Sequence, residues 1–147
     1  MTQSLPVSLR QAWLLALPVW GLMGLLPGLE LRAPANLAAL LSLVLLQPLL
    51  EELVFRGLLQ GLALRWLSLG GRTLRCGPVS VANLLVTAAF VAMHLGVQPL
   101  AWALAVAPPS LVLGHLREKY QRLGPVILTH AYYNAGFAVT ALLAGPL

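Results

Sequence analysis

The chain has 147 residues, of which 59% are hydrophobic and only 9% are charged, and its mean hydropathy is +0.86. Soluble domains carry roughly 25% charged residues, so this composition excludes an ordinary soluble protein and predicts an integral membrane protein. The formal net charge is +5. Because the basic side chains other than Arg56 fall at the ends of predicted spans, we expect no nucleic-acid partner.

Five apolar segments predict an all-α fold, a polytopic transmembrane helix bundle of about five spans in a single domain over residues 1–147. The predicted spans cover residues 13–29, 35–67, 79–97, 99–116 and 126–143. The first segment, followed by Ala33-Pro34-Ala35, also imitates a secretory signal. Glu30 and Arg32 crowd that cleavage site, so we expect the first span to be retained.

The second segment is too long for a straight crossing of the membrane. About 33 residues at ~1.5 Å each give ~50 Å, against a bilayer core of ~30 Å, so this helix must tilt, break or overshoot. Pro48 predicts a kink within it. Gly57 and Gly61 form a small-xxx-small face that would let a neighbouring helix approach closely, although such glycines are also common in membrane helices.

The basic residues predict the orientation of the chain in the membrane. Arg10, Arg65 and five basic side chains in two loops, 68–78 and 117–122, fall on one side, against Arg32 on the other. The positive-inside rule then predicts an inside N-terminus and an outside C-terminus. The lone cysteine, Cys76, excludes an internal disulfide and a cysteine-based metal cluster.

Charged side chains inside the second segment mark a candidate site. A charge at mid-bilayer costs at least ~2.5–3.5 kcal/mol, so such groups usually face the bundle interior and pair with one another. Glu52 and Arg56 have i,i+4 spacing and are predicted to form an ion pair. Glu51 is rotated by about 100° from Glu52 on a helix and is predicted to be the free carboxylate.

Three more polar residues lie in predicted spans: His94, His130 and Asn134. His130 and Asn134 share a helical face, as do Phe90 and His94. A single intramembrane histidine is more often a packed polar residue than a functional one. With the charged trio, however, these residues comprise nearly all the strongly polar groups expected in the spans, so we predict that they converge on one cavity. His115, by contrast, is predicted to be interfacial.

Strictly alternating spans would separate the two candidate histidines. His94 would lie near the outer end of the third span, whereas His130 would lie only ~9 Å inside the fifth span from the opposite face. Pro108-Pro109 therefore predicts a broken or strongly tilted fourth segment that lets the histidines reach a common depth.

The predicted cluster suits hydrolysis of an amide bond. A carboxylate with two imidazoles can activate a water by general-base catalysis, and an asparagine amide and a histidine N–H can stabilise the resulting oxyanion. The same trio of Glu51, His94 and His130 is also a donor set that zinc binds. A non-catalytic scaffold or immunity protein, and a proton or metal transporter with a Glu/His relay, are the competing hypotheses.

Several established protease signatures are missing from the sequence. It contains no His-Glu-x-x-His or Gly-x-Ser-x-Gly pattern and no aspartate. The chain therefore lacks the signature of soluble zincin proteases, and without an aspartate it cannot use the aspartyl intramembrane mechanism.

Three spaced motifs resemble those of the CPBP family of intramembrane proteases, which includes the CAAX prenyl endopeptidases and the bacterial bacteriocin-processing and self-immunity (Abi) proteins. The resemblance spans about residues 40–140 and rests on Glu51-Glu52-x-x-x-Arg56, Phe90-x-x-x-His94 and His130-x-x-x-Asn134. It implies that Glu51 activates water, that His94 and His130 position water or substrate, and that Asn134 lies in the oxyanion pocket. Supporting roles are implied for Glu52, Arg56 and Phe90.

The resemblance leaves the metal and the substrate open, because family members have been described both as metalloproteases and as metal-free glutamate proteases. We predict a metal-free enzyme without a cofactor. Glu52 is committed to Arg56, while Glu30 and Glu118 fall in loops, so no acidic residue remains to orient the histidines around zinc. The short chain is similar in size to bacterial members associated with C-terminal sorting signals. It suggests a bacterial inner-membrane protein acting on a membrane-anchored substrate with such a signal or a lipid, within the lipid bilayer.

Overall fold

A computed structural model describes residues 7–25, 32–69 and 72–144 and shows five helices. They are α1 (Leu9–Leu25), α2 (Leu37–Trp66), α3 (Val81–Leu95), α4 (Leu100–Tyr120) and α5 (Gly124–Ala144). Between α2 and α3, four two-residue strands form two antiparallel pairs: β1 (Ser68–Leu69) with β2 (Arg72–Thr73), and β3 (Arg75–Cys76) with β4 (Val79–Ser80). The all-α bundle prediction is confirmed, and the first basic loop contains two short hairpins that were not predicted.

Three of the helices, α2, α4 and α5, are long and apolar enough to cross a membrane. Helix α3 differs from the predicted third span because it has only 15 residues. At 1.5 Å per residue it is ~22 Å long, shorter than a bilayer core of ~30 Å. Helix α1 is described over 17 residues, and the predicted end of the first span at residue 29 lies outside the described residues.

Helix α1 packs against α5 through aromatic and polar contacts. The Trp13 indole N–H donates to the Thr129 hydroxyl at 3.0 Å, and the Tyr133 hydroxyl donates to the Ala12 carbonyl at 3.1 Å. The Trp13 and Tyr132 rings stack with their centroids 4.8 Å apart. These contacts make α1 part of the bundle that surrounds the start of α5.

Helix α2 is interrupted by two π-helical segments, Ser42–Leu46 and Leu53–Leu59, which lie on either side of the two glutamates. In each segment a backbone bond reaches back five residues, from the Gln47 N–H to the Ser42 carbonyl and from the Gln60 N–H to the Phe55 carbonyl. Each π turn inserts one extra residue and changes which side chains face the bundle. Near Pro48, where a kink was predicted, the irregularity of α2 is therefore a change of helical register.

Helix α4 is broken at Val106, which separates Leu100–Ala105 from Ala107–Tyr120. Pro108 falls in the first turn of the second piece, where its missing N–H needs no helical partner. In a continuous helix its ring would clash with the carbonyl of the residue four positions earlier. The first helical piece therefore ends at Ala105, and the second begins at Ala107. The predicted break in the fourth segment is confirmed.

The glycine face predicted on α2 is only half correct. A Cβ added at Gly57 would lie 3.3 Å from the Leu123 side chain, so this glycine is closely approached. A Cβ added at Gly61 would meet nothing within 4 Å, so no helix packs closely there among the described residues.

A glycine with a stricter requirement lies where α4 crosses α3. An added Cβ at Gly114 would lie 2.0 Å from Oδ1 of Asn83, a buried residue whose amide donates to the Leu111 carbonyl at 2.9 Å. We expect Gly114→Ala to lower the free energy of unfolding by about 1–3 kcal/mol, because Asn83 must leave its bond. Thermal unfolding in detergent, with Gly61→Ala as the matched control, measures this effect. Equal stability of the two variants would contradict the close packing.

Candidate active site

A fully buried ion pair lies at the centre of the site. Arg56 Nη1 lies 3.3 Å from Glu52 Oε1, and neither side chain is exposed to solvent, which confirms the predicted pair. The second terminal nitrogen of the guanidinium, Nη2, donates to the hydroxyl and the carbonyl of Ser110, at 2.7 and 3.0 Å. Arg56 thus ties α2 to the first turns of α4 after its break.

His130 lies between the two glutamates. Its Nδ1 is 2.8 Å from Glu52 Oε1, and its Nε2 is 3.7 Å from Glu51 Oε2. As the partner of Arg56, the Glu52 carboxylate acts as an acceptor, so His130 donates from Nδ1, and in the neutral ring the Nε2 lone pair faces Glu51. The prediction that Glu52 is committed to Arg56 alone was wrong, because its Oε1 atom serves both partners.

The two glutamates differ in exposure as well as in partners. The Glu51 side chain is 22% exposed, whereas that of Glu52 is completely buried. The 3.7 Å separation between Glu51 and His130 is too long for a direct hydrogen bond. Glu51 is therefore the accessible carboxylate, in line with the sequence prediction.

Phe90 brings the second histidine into the same site. The Phe90 ring centroid lies 4.5 Å from that of His94 and 6.2 Å from that of His130. Phe90 is itself buried against Phe55, and the Arg56 guanidinium lies 4.9 Å from its centroid. Both imidazoles therefore contact the same aromatic ring.

The backbone fixes the orientation of His94. Its Nδ1 lies 2.9 Å from the Phe90 carbonyl. Because a carbonyl only accepts, a proton is on Nδ1. In the neutral ring Nε2 then carries a lone pair and cannot donate, whereas in the protonated ring it carries a second N–H.

Asn134 lies one turn after His130 but contacts a different group. Its Nδ2 donates to the Leu43 carbonyl in the first π-helical segment of α2, at 2.9 Å. This amide thus faces the α2 backbone, and its role in the oxyanion pocket stays a prediction.

A buried polar network that was not predicted extends from the site. Ser110, the partner of Arg56, lies 3.0 Å from the Thr87 hydroxyl, which in turn donates to Asn83 Oδ1 at 3.3 Å. Gln60, also fully buried, donates to Glu118 at 2.9 Å and to the Gly114 carbonyl at 3.0 Å. The expectation that six residues make up nearly all the strongly polar groups was therefore wrong. The i,i+4 spacing of Asn83 and Thr87, and of Arg56 and Gln60, was the available signal.

Glu118 differs from its prediction. Expected in a loop, it lies in the last turns of α4, where it accepts a hydrogen bond from Ser80 and lies 3.7 Å from Arg75. His115, nearby on the same helix, is only 4% exposed, and its Nε2 lies 3.2 Å from the Val7 carbonyl; its place at the membrane interface stays a prediction. Both residues are thus packed within the bundle.

The orientation of the histidines also bears on zinc. Zinc-bound imidazoles normally donate their second N–H to a carboxylate or a carbonyl, and here Glu52 and the Phe90 carbonyl occupy those positions. The prediction that no acidic residue remained to orient the histidines was therefore wrong for His130, which Glu52 orients. In the described part of the chain, however, no three His, Cys, Asp or Glu side chains are gathered closely enough to hold a metal ion.

Comparison with known proteins gives one family match. The sequence model of the family described as type II CAAX prenyl endopeptidase Rce1-like matches residues 33–136, more than half of the chain and including all three motifs. No curated protein and no solved structure gives a significant match. With its three apolar helices of membrane-spanning length, the chain is a membrane protein that belongs to the Rce1-like family of type II CAAX prenyl endopeptidases.

Proposed function

We propose that this chain is an intramembrane endopeptidase in which Glu51 activates a water that attacks a peptide bond directly. The observation that carries the proposal is the placement of His130, with Nδ1 held by Glu52 at 2.8 Å and Nε2 at 3.7 Å from Glu51. This arrangement aims two acceptors, a carboxylate oxygen and an imidazole lone pair, at one point. A water there can donate one hydrogen to each of them.

The proposed reaction needs only proton transfers by Glu51. The Glu51 carboxylate takes a proton from the water while the water oxygen bonds to the scissile carbonyl carbon, giving a tetrahedral oxyanion. When the C–N bond breaks, Glu51 returns the proton to the leaving amine, which regenerates the carboxylate. Buried Glu52 and Arg56 hold His130 in place throughout and exchange no proton.

For the oxyanion, we propose His94 in its protonated form. Its Nδ1–H is already engaged with the Phe90 carbonyl, so protonation adds an N–H at Nε2, on the side away from that bond. A donor of this kind contributes most where water is excluded, as beside the buried Phe90 ring.

The proposed substrate is a membrane-associated protein cleaved near its C-terminus. Membership in a CAAX prenyl endopeptidase family suggests a farnesylated peptide ending in a Cys-a-a-X tetrapeptide. The alternative substrate carries a C-terminal sorting signal with a terminal membrane helix and a basic cluster. Purified protein in phospholipid vesicles, given one peptide of each type, tests the function by mass spectrometry of the products. Cleavage of either peptide supports the protease, and cleavage of neither contradicts it.

A second candidate is the zinc-dependent form of the same protease, which the oriented histidines favour. Glu51, His94 and His130 are not gathered closely enough in this structure to hold the ion, so they would have to move closer together. Zinc bound there would supply a water that ionises near neutral pH. We expect instead that protein dialysed exhaustively against a chelator retains its rate of peptide cleavage, because Glu51 suffices as the base. Stoichiometric zinc that is lost together with activity, and restores it when added back, would contradict this expectation.

A further inference from the structure

Helix α2 has a gap in its backbone hydrogen bonding just before the glutamates. The Gln47 N–H donates to the Ser42 carbonyl, five residues back, which sets a π-helical register. In that register the next donor, residue 48, would bond to the Leu43 carbonyl. Residue 48 is a proline, which has no N–H, so this carbonyl has no backbone donor in that register. Leaving a carbonyl unpaired in an apolar environment is costly.

Asn134 supplies the missing donor from another helix. Its Nδ2 donates to the Leu43 carbonyl at 2.9 Å. Pro48 itself is buried, so water does not readily replace that donor. The side-chain amide thus stands where the backbone N–H of residue 48 would otherwise be.

This bond connects the two helices that carry Glu51 and His130. Pro48 lies three residues before Glu51 on α2, and Asn134 lies four residues after His130 on α5. One inserted residue changes the direction of every later side chain by about 100° relative to a regular α-helix. The register at Leu43 therefore determines the direction in which Glu51 projects relative to His130.

We infer that Asn134 is a positioning residue, which replaces the N–H absent from Pro48 and thereby holds the π turn that directs Glu51 toward His130. The inference rests on the proposed function only in taking Glu51 as the base. It differs from the oxyanion role implied for Asn134 by family resemblance, because a donor to the oxyanion would act independently of residue 48.

A double-mutant cycle separates the two roles. Asn134→Leu keeps the branched side-chain skeleton but removes the donor, and Pro48→Ala restores a backbone N–H that can reach the Leu43 carbonyl. With the farnesylated Cys-a-a-X peptide as substrate, we expect Asn134→Leu to lower kcat by a larger factor than the factor by which it changes KM. We further expect the factor by which Asn134→Leu lowers kcat to be at least about tenfold smaller in the Pro48→Ala background than in the wild-type background. Equal fold-losses in both backgrounds would overturn the inference in favour of the oxyanion role.

Thermal unfolding of the same four proteins provides a second cycle that does not depend on catalysis. Asn134→Leu should lower the Tm by several degrees when Pro48 is present and by much less in the Pro48→Ala protein, because only the first case leaves a carbonyl unpaired. Equal Tm changes in the two backgrounds would also contradict the inference. If no peptide is cleaved, the proposed function fails while this cycle still decides the role of Asn134.

Thr140→Val is the matched control for both cycles. Thr140 is on the same helix, and its hydroxyl donates to the Gly136 carbonyl within that helix at 2.9 Å. Its substitution should change kcat and Tm by the same amount in both backgrounds. A coupling of Thr140 to Pro48 as large as that of Asn134 would mean that Pro48→Ala perturbs the bundle generally, which would refute the specific link.

Discussion

Replacing Glu51 with glutamine is expected to lower kcat by about 10²–10⁴-fold while leaving the amount of folded protein nearly unchanged. Glutamine has almost the same shape but cannot take a proton from water. The Glu51 side chain is 22% exposed, and its approach to His130, at 3.7 Å, is too long for a hydrogen bond. The fold therefore depends little on this carboxylate. Cleavage of the peptide in vesicles and the Tm of the variant measure the two effects.

Glu118→Gln is the matched control for this substitution. It makes the same chemical change at a carboxylate that bonds to Gln60 and Ser80, in a part of the network without the two imidazoles. We expect this variant to keep most of its activity and to lose some stability. If Glu51→Gln retained the wild-type rate, another group would be the base. If a biological activity persisted without any cleavage, the non-catalytic scaffold hypothesis would be favoured.

Replacing Arg56 with methionine is expected to have the largest effect on stability. It would leave the Glu52 carboxylate, which has no exposed surface, without its cation. Removing one partner of a buried ion pair costs about 3–5 kcal/mol, because the remaining charge is uncompensated. The bonds to Ser110 would be lost as well. Unfolding in detergent with increasing denaturant measures the loss.

Two further variants separate charge from packing at this position. Arg65→Met makes the same change at an exposed position of the same helix, and its stability should stay within about 0.5 kcal/mol of wild type. Glu52→Gln combined with Arg56→Met removes both charges and should recover much of the lost stability. Activity should stay about 10–100-fold low, because His130 loses the carboxylate that orients it. An Arg56→Met protein as stable as Arg65→Met would contradict the buried pair.

Local spacing was sufficient to predict several features of the site. The i,i+4 relation placed Glu52 beside Arg56, and the structure brings these residues, Glu51 and the two histidines to one place. Pro108-Pro109 predicted the break in α4 because proline removes a helical hydrogen bond wherever it occurs. These features depend on covalent geometry and on the cost of charge in lipid, both of which can be judged from a short stretch of sequence.

Other features depend on contacts between distant residues and could not be predicted. The apolar pattern of α2 is the same in an α-helical and a π-helical register, so the two π segments were not visible in it. The bond from Asn134 to Leu43 joins residues 91 positions apart. The double use of Glu52 by Arg56 and His130 depends on how α5 packs against α2. Gln60 was missed because a neutral amide in an apolar run is a weaker signal than a charge.

The most direct test of the central claim is one round of peptide cleavage in water labelled with heavy oxygen, followed by mass spectrometry of both product and enzyme. If Glu51 activates a water that attacks the peptide directly, the new C-terminal carboxylate of the product carries one heavy oxygen, and the enzyme fragment containing Glu51 carries none. Heavy oxygen in the Glu51 side chain would show that this carboxylate attacks the substrate covalently, which would contradict the proposed mechanism.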